Sequence, residues 1–114
     1  MGQFMCNFKH KLIRKNSQIN PIFDCVNHYR LYFHENPNKI NITYTTRNGL
    51  LDGVYSEYDI QGRLICKIPY KNGKINGLKL VFNCQVYINN EFIKVKKYEE
   101  LYESGIQIST NIII

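Results

Sequence analysis

Two Asn-Gly dipeptides, Asn48-Gly49 and Asn72-Gly73, stand 24 residues apart, each between runs rich in β-forming residues. A two-residue hairpin turn of the favoured hand needs positive φ at both positions, and Asn-Gly adopts that pair most readily. Shifting the sequence by the same 24 residues matches more than the dipeptides. Gly53 falls on Gly77, Val54 on Leu78, Tyr58 on Phe82, Lys39-Ile40 on Arg63-Leu64 and Arg47 on Lys71. A short internal repeat whose unit is a hairpin leaves few options, and a β meander is the simplest of them.

Alternation within each unit supports strands. Leu64, Cys66, Ile68 and Tyr70 would share one face, as would Leu78, Leu80 and Phe82, and Lys67 and Lys79 stand out of step with these apolar rows. Asp59-Ile60-Gln61-Gly62 reads as the turn between strands over 54–58 and 63–70, and Asn89-Asn90 as a further two-residue turn. Pro69 requires an edge strand or a place where its missing N–H is not needed. His28 to Phe33 reads as a strand leading into the repeats. Tyr98 to Gly105 reads as a short helical turn closed by glycine, followed by a last strand from Ile106. The chain has no Ala and no Trp but 9 Tyr and 16 Ile, which turns it further from helices and toward strands.

The expected fold is therefore all-β or mostly β. It is an antiparallel meander of repeated β-hairpins forming one twisted sheet, with a short helical turn near the C-terminus. At 114 residues one domain is expected, organised as a basic N-terminal segment over 1–29, a hairpin-repeat region over 30–105 and a terminal strand or tail over 106–114.

The run Asn48-Gly49-Leu50-Leu51-Asp52-Gly53-Val54-Tyr55-Ser56-Glu57-Tyr58-Asp59-Ile60-Gln61-Gly62-Arg63-Leu64 resembles a MORN-type repeat of the variant class. Tyr70-Lys71-Asn72-Gly73-Lys74-Ile75-Asn76-Gly77-Leu78-Lys79-Leu80-Val81-Phe82 is similar and fits better. The likeness covers about 38–82 well and 83–105 poorly. Val54 and Leu78 stand where the family more often has an aromatic, and a third copy lacks both turn glycines. The resemblance implies a twisted ribbon of antiparallel hairpins in which Gly49, Gly53, Tyr58, Gly62, Tyr70, Gly73, Gly77 and Phe82 are structural. It also implies a non-enzymatic scaffold that binds other proteins, with phospholipid contact credited to some members. Variant copies occur in small bacterial proteins and in large DNA viruses, whose AT-rich coding would suit a chain in which Asn, Ile, Lys and Tyr supply 50 of 114 residues.

The net charge of +6 is concentrated in two blocks, one before residue 31 and one over 67–97. Lys67, Lys71, Lys74, Lys79, Lys94, Lys96 and Lys97 form the candidate contact surface. Such blocks attract phosphate-rich partners, although solvated strand faces of a Lys-rich chain would look the same. A protein partner is the first expectation, with an anionic membrane surface or nucleic acid as further candidates and no small-molecule substrate. The rival function is a small basic β domain that stacks single-stranded bases on Tyr and Phe while Lys holds the phosphates. That use needs aromatics and lysines on one face.

Cys6, His10, Cys25 and His28 are a zinc-compatible set, but their spacing matches no regular finger. The four cysteines form no C-x-x-C pair, and without a secretory signal they are expected as free thiols. No apolar run approaches the length of a membrane span, so a cytoplasmic chain is expected. Gly2 and Cys6 partly match lipidation patterns. No cofactor-binding glycine loop, catalytic triad or paired carboxylates stand out, and an enzyme is not expected.

Overall fold

The computed structural model describes residues 24–114. Every regular element among them is a strand: β1 (Val26–Tyr32), β2 (Ile40–Arg47), β3 (Leu50–Leu51), β4 (Gly53–Tyr58), β5 (Leu64–Lys71), β6 (Lys74–Ile75), β7 (Gly77–Ile88), β8 (Glu91–Glu103) and β9 (Ile106–Ile113). They form a single antiparallel sheet in the order β1-β2-β4-β5-β7-β8-β9, with β3 paired to β2 and β6 to β5. Each strand lies beside the next in sequence, as a chain of tight turns dictates.

The expected turns form where the Asn and Gly residues allow them. Asn48-Gly49 and Asn72-Gly73 have φ of 53° and 86°, and 51° and 82°, the double positive φ of a hairpin turn; Asn89 and Asn90 also have positive φ. The turn after β4 is held by Asp59. Its Oδ1 accepts the N–H groups of Gln61 and Arg63 at 2.9 Å each, and its carbonyl accepts the Gly62 N–H.

The expected helical turn near the C-terminus is not formed. Residues Tyr98 to Glu103 continue β8, and Ser104-Gly105, with φ of 50° and 87°, make another two-residue turn into β9. The reason is register. Tyr98, Glu100 and Tyr102 pair with β7 and β9 on both sides, so their period of two is satisfied by neighbours that a helix would forfeit. The turn glycine at this end of the sheet is therefore Gly105.

Strands β3 and β4 are one strand kinked at Asp52-Gly53, and β6 and β7 one strand kinked at Asn76-Gly77. Gly53 and Gly77 take φ of 111° and 118°. The kink explains how Pro69 sits inside the sheet. It lies opposite the Asn76-Gly77 break, where regular pairing is interrupted, and its carbonyl accepts the Asn76 N–H at 2.9 Å. Thr45 holds the same place against Asp52, whose N–H it accepts at 3.0 Å.

One layer of strands leaves little interior. The chain measures 59 × 37 × 17 Å. Among the described residues, the only buried hydrophobic side chains are Cys25 and Val95, and Ser56 and Glu100 are the buried polar ones. The two apolar rows read from alternation lie on opposite faces. Cys66 pairs with Val81 on one face, while Lys67 pairs with Leu80 on the other, so the row Leu78–Leu80–Phe82 opposes the row Cys66–Ile68–Tyr70. Lys67 and Lys79 are likewise on opposite faces.

Candidate interaction surface

The turns at one end of the sheet dock on one another in a repeated way. Each donates a backbone N–H to the preceding unit: Asn48 to the Cys25 carbonyl at 2.7 Å, Gly73 to Leu51 at 2.8 Å and Gly105 to Ile75 at 2.8 Å. Each step also has an amide or carboxylate side chain. Asn48 Oδ1 accepts from the Cys25 N–H at 3.0 Å, Asp52 Oδ1 from Asn72 at 3.3 Å and Asn76 Oδ1 from Ser104 at 2.9 Å. Asp52 is also held by Arg47 Nε at 3.0 Å, and Arg47 reaches Asp24 at 2.7 Å. The Arg47 bond, followed by the Asn72 N–H, keeps the Asp52 carboxyl below the usual carboxylate range. Asp52 and Asn76 are separated by the 24-residue period and were not singled out in the sequence. The acid-or-amide residue just before each of Gly53 and Gly77 is the signal that marks them.

Residues paired across antiparallel strands point to the same side, and this sorts the sheet into two unlike faces. The first is a tyrosine face. Tyr29 stacks on Tyr44 with ring centroids 4.7 Å apart, and Tyr44 on Tyr55 at 6.2 Å, one ring per strand. Tyr55 donates to Glu57 Oε1 at 3.3 Å, and burial followed by the Glu57 charge pushes its hydroxyl up to about 12. Further along, Glu100 accepts from the Tyr98 hydroxyl, from Tyr102 at 3.0 Å and from the Lys79 ammonium at 3.3 Å. Burial disfavours the Glu100 charge, yet the two phenols and Lys79 outweigh it and hold the carboxyl below its ordinary value. The same bond to Glu100 raises Tyr98 to about 12. Cys66 lies on this face beside Glu57, and burial pushes its thiol up.

The second is a lysine face. It carries Arg30, Arg47, Lys67, Lys71, Lys74 and Lys97, with Lys71 and Lys74 side by side across β5 and β6. Lys97 is bound to Glu99 at 3.1 Å. Between the cations runs an apolar row across four strands, in which Val54 pairs with Pro69 and Leu78 with Leu101. Val54 and Leu78 are each 45% exposed and Leu101 38%, and Leu50 in the neighbouring row is 51% exposed.

The candidate residues thus separate. Gly49 and Gly73 lie in turns, Gly62 in the Asp59 turn, and Gly53 and Gly77 at the kinks. Tyr70 belongs to the tyrosine face and Phe82 to the lysine face, while Tyr58 pairs with Leu64 after a register shift. Of the candidate lysines, Lys67, Lys71, Lys74 and Lys97 share a face and Lys79 is on the other. Lys94 and Lys96 lie on the N-terminal half of β8, beside an open cleft of about 490 Å³ lined also by Cys84 and by Asn83, whose φ is 49°.

Of the zinc-compatible set, Cys6 and His10 lie outside the described residues, as does Gly2. Cys25 is disulfide-bonded, which corrects the expectation of free thiols at that position, whereas Cys66 and Cys84 are free. His28 Nδ1 lies 3.1 Å from Thr45 Oγ1. Among the described residues, no three His, Cys, Asp or Glu side chains gather closely enough to hold a metal ion, and no helix is long and apolar enough to cross a membrane. Compared with protein-family models, curated proteins and solved structures, the chain shows no significant match to any of them.

Proposed function

We propose that this chain is a non-enzymatic MORN-type repeat scaffold that binds a protein partner through its lysine face. The observation that carries this reading is the apolar row Val54–Pro69–Leu78–Leu101, exposed at Val54, Leu78 and Leu101 and flanked by Lys67, Lys71 and Lys74. An apolar strip with a charged rim on an open surface is the composition of an interface. The turn ladder supports the repeat assignment, because it makes each hairpin rest on the unit before it, as stacked repeats do. The rival single-stranded nucleic-acid reading is less favoured. The stacked tyrosines lie on the face opposite Lys67, Lys71 and Lys74, so bases and phosphates of one strand would not reach both.

Affinity capture from the source cell, with and without nuclease, tests the reading when run beside Leu78→Lys. The expected result is a discrete protein that survives nuclease and is lost from the variant. Recovered material that vanishes with nuclease would replace the scaffold reading with the nucleic-acid one. A partner retained by Leu78→Lys would move the contact off this face. Sedimentation with phosphatidylserine vesicles, lost in Leu78→Lys, would make the partner a membrane surface instead.

A further inference from the structure

The sheet order ends at β9, and among the described residues no strand pairs with its outer side. The run Ile106-Gln107-Ile108-Ser109-Thr110-Asn111-Ile112-Ile113 contains no charged residue, no Pro and no Gly. Charges, prolines and covering segments are the means by which edge strands are kept from pairing with other chains; β9 has no charge and no Pro, and among the described residues no segment covers its outer side. It is eight residues long, roughly 27 Å of strand. Ile106 is 70% and Ile108 54% exposed. A register irregularity between Leu101 and Tyr102 sets Ile108 out of step with β8, but Ser109 to Ile113 pairs residue for residue with Leu101 to Lys97. That stretch is regular in register, and its outward N–H and C=O groups have the spacing another strand matches.

We propose that the outer edge of β9 pairs antiparallel with β9 of a second copy of this chain, joining two sheets into one across a two-fold axis. Self-pairing fits because any register over 109–113 opposes only Ser, Thr, Asn and Ile, so no like charges meet. The strand at the other end of the sheet order, β1, carries His28 and Arg30. A β9-to-β1 contact would also run head to tail and continue, whereas β9-to-β9 uses one neutral edge from each copy and closes at two. An edge this short makes a small interface, so the dimer forms with rising concentration and is not permanent.

The test is sedimentation equilibrium of the full chain between about 1 and 200 μM, with Thr110→Lys and Ile108→Lys alongside. Both positions are exposed, and Thr110 pairs with Glu100 of β8, so a lysine there meets no like charge in that pair. The unaltered chain is expected to move from 13.5 kDa to twice that mass, and each variant to dimerise at least about tenfold more weakly. Hydrogen exchange of the unaltered chain should show concentration-dependent protection confined to Ser109–Ile113, a readout that needs no variant. A mass that stays at one copy, a dimer that survives both substitutions, protection that appears elsewhere, or growth beyond two copies would each overturn the proposal.

Discussion

Gly77 shows how much of this fold rests on single backbone conformations. Its φ of 118° is one that L side chains rarely adopt, and a Cβ placed there would lie 3.1 Å from Pro69 Cγ. Gly49 has φ of 86° and open space around the missing Cβ. Gly77→Ala is expected to cost about 1–3 kcal/mol, and Gly49→Ala no more than about 1–2 kcal/mol. Thermal melts of the two variants decide, and an equal loss would mean that the close approach of Pro69 has no weight. At Glu100 the residue-scale prediction concerns pH. Its folded pKa is lowered, so its contribution to stability is fully present above the unfolded carboxylate value of about 4.3 and fades as pH falls through the folded value. Tyr98 is raised, so its contribution holds below the unfolded phenol value of about 10 and is lost as pH rises toward about 12. Urea midpoints across both limbs should shift in this way, and Glu100→Gln should flatten the part of the acid limb due to Glu100. An unchanged acid limb in Glu100→Gln would show that the carboxylate does not carry it.

At the scale of elements the repeated device is the docking of one turn on the unit before it. Asn76 joins the kink before β7 to the turn before β9 through the Ser104 N–H. Asn76→Ala should cost about 1 kcal/mol and speed exchange at the Ser104 and Gly105 amides while leaving Asn72 and Gly73 unaffected. Loss of protection at both turns together would mean that the ladder acts as one unit. Much of this element plan was legible in the sequence. Asn48-Gly49, Asn72-Gly73 and the Asp59 turn announce themselves because positive φ is written in residue type. The third step was hidden for two reasons. Ser104-Gly105 is a weaker turn signal than Asn-Gly. The β7–β8 hairpin is also longer: Gly53 pairs with Tyr70 and Gly77 with Tyr102, which takes eight residues more and breaks the 24-residue period. The helical reading of Tyr98–Gly105 failed there, because Tyr98, Glu100 and Tyr102 find partners on both flanking strands that local pattern does not show. The two faces were not legible either. Alternation tells which residues share a side within a strand, but only register tells which sides of neighbouring strands coincide.

The described residues form a single layer in which strands pair in sequence order, and the turns at one end dock on the unit before. Most domains hide a core between two layers, and here the described residues bury only Cys25 and Val95 among their hydrophobic side chains. Stability must then come from strand-to-strand contacts taken in sequence, a nearly one-dimensional sum of the kind found in stacked repeats. Such a chain opens from its ends, because an end strand gives up one interface and an interior strand two. Native-state hydrogen exchange, run dilute enough to keep the chain monomeric, should find the slowest amides in β5 and β7. Protection should decline stepwise toward β2 on one side and β9 on the other. The Glu100 network on β8, with its phenols and Lys79, should make the decline on the β9 side the shallower as far as β8. Equal protection from β2 to β9 would mean that the sheet unfolds all at once. The faces would then be coupled by something beyond neighbouring strands.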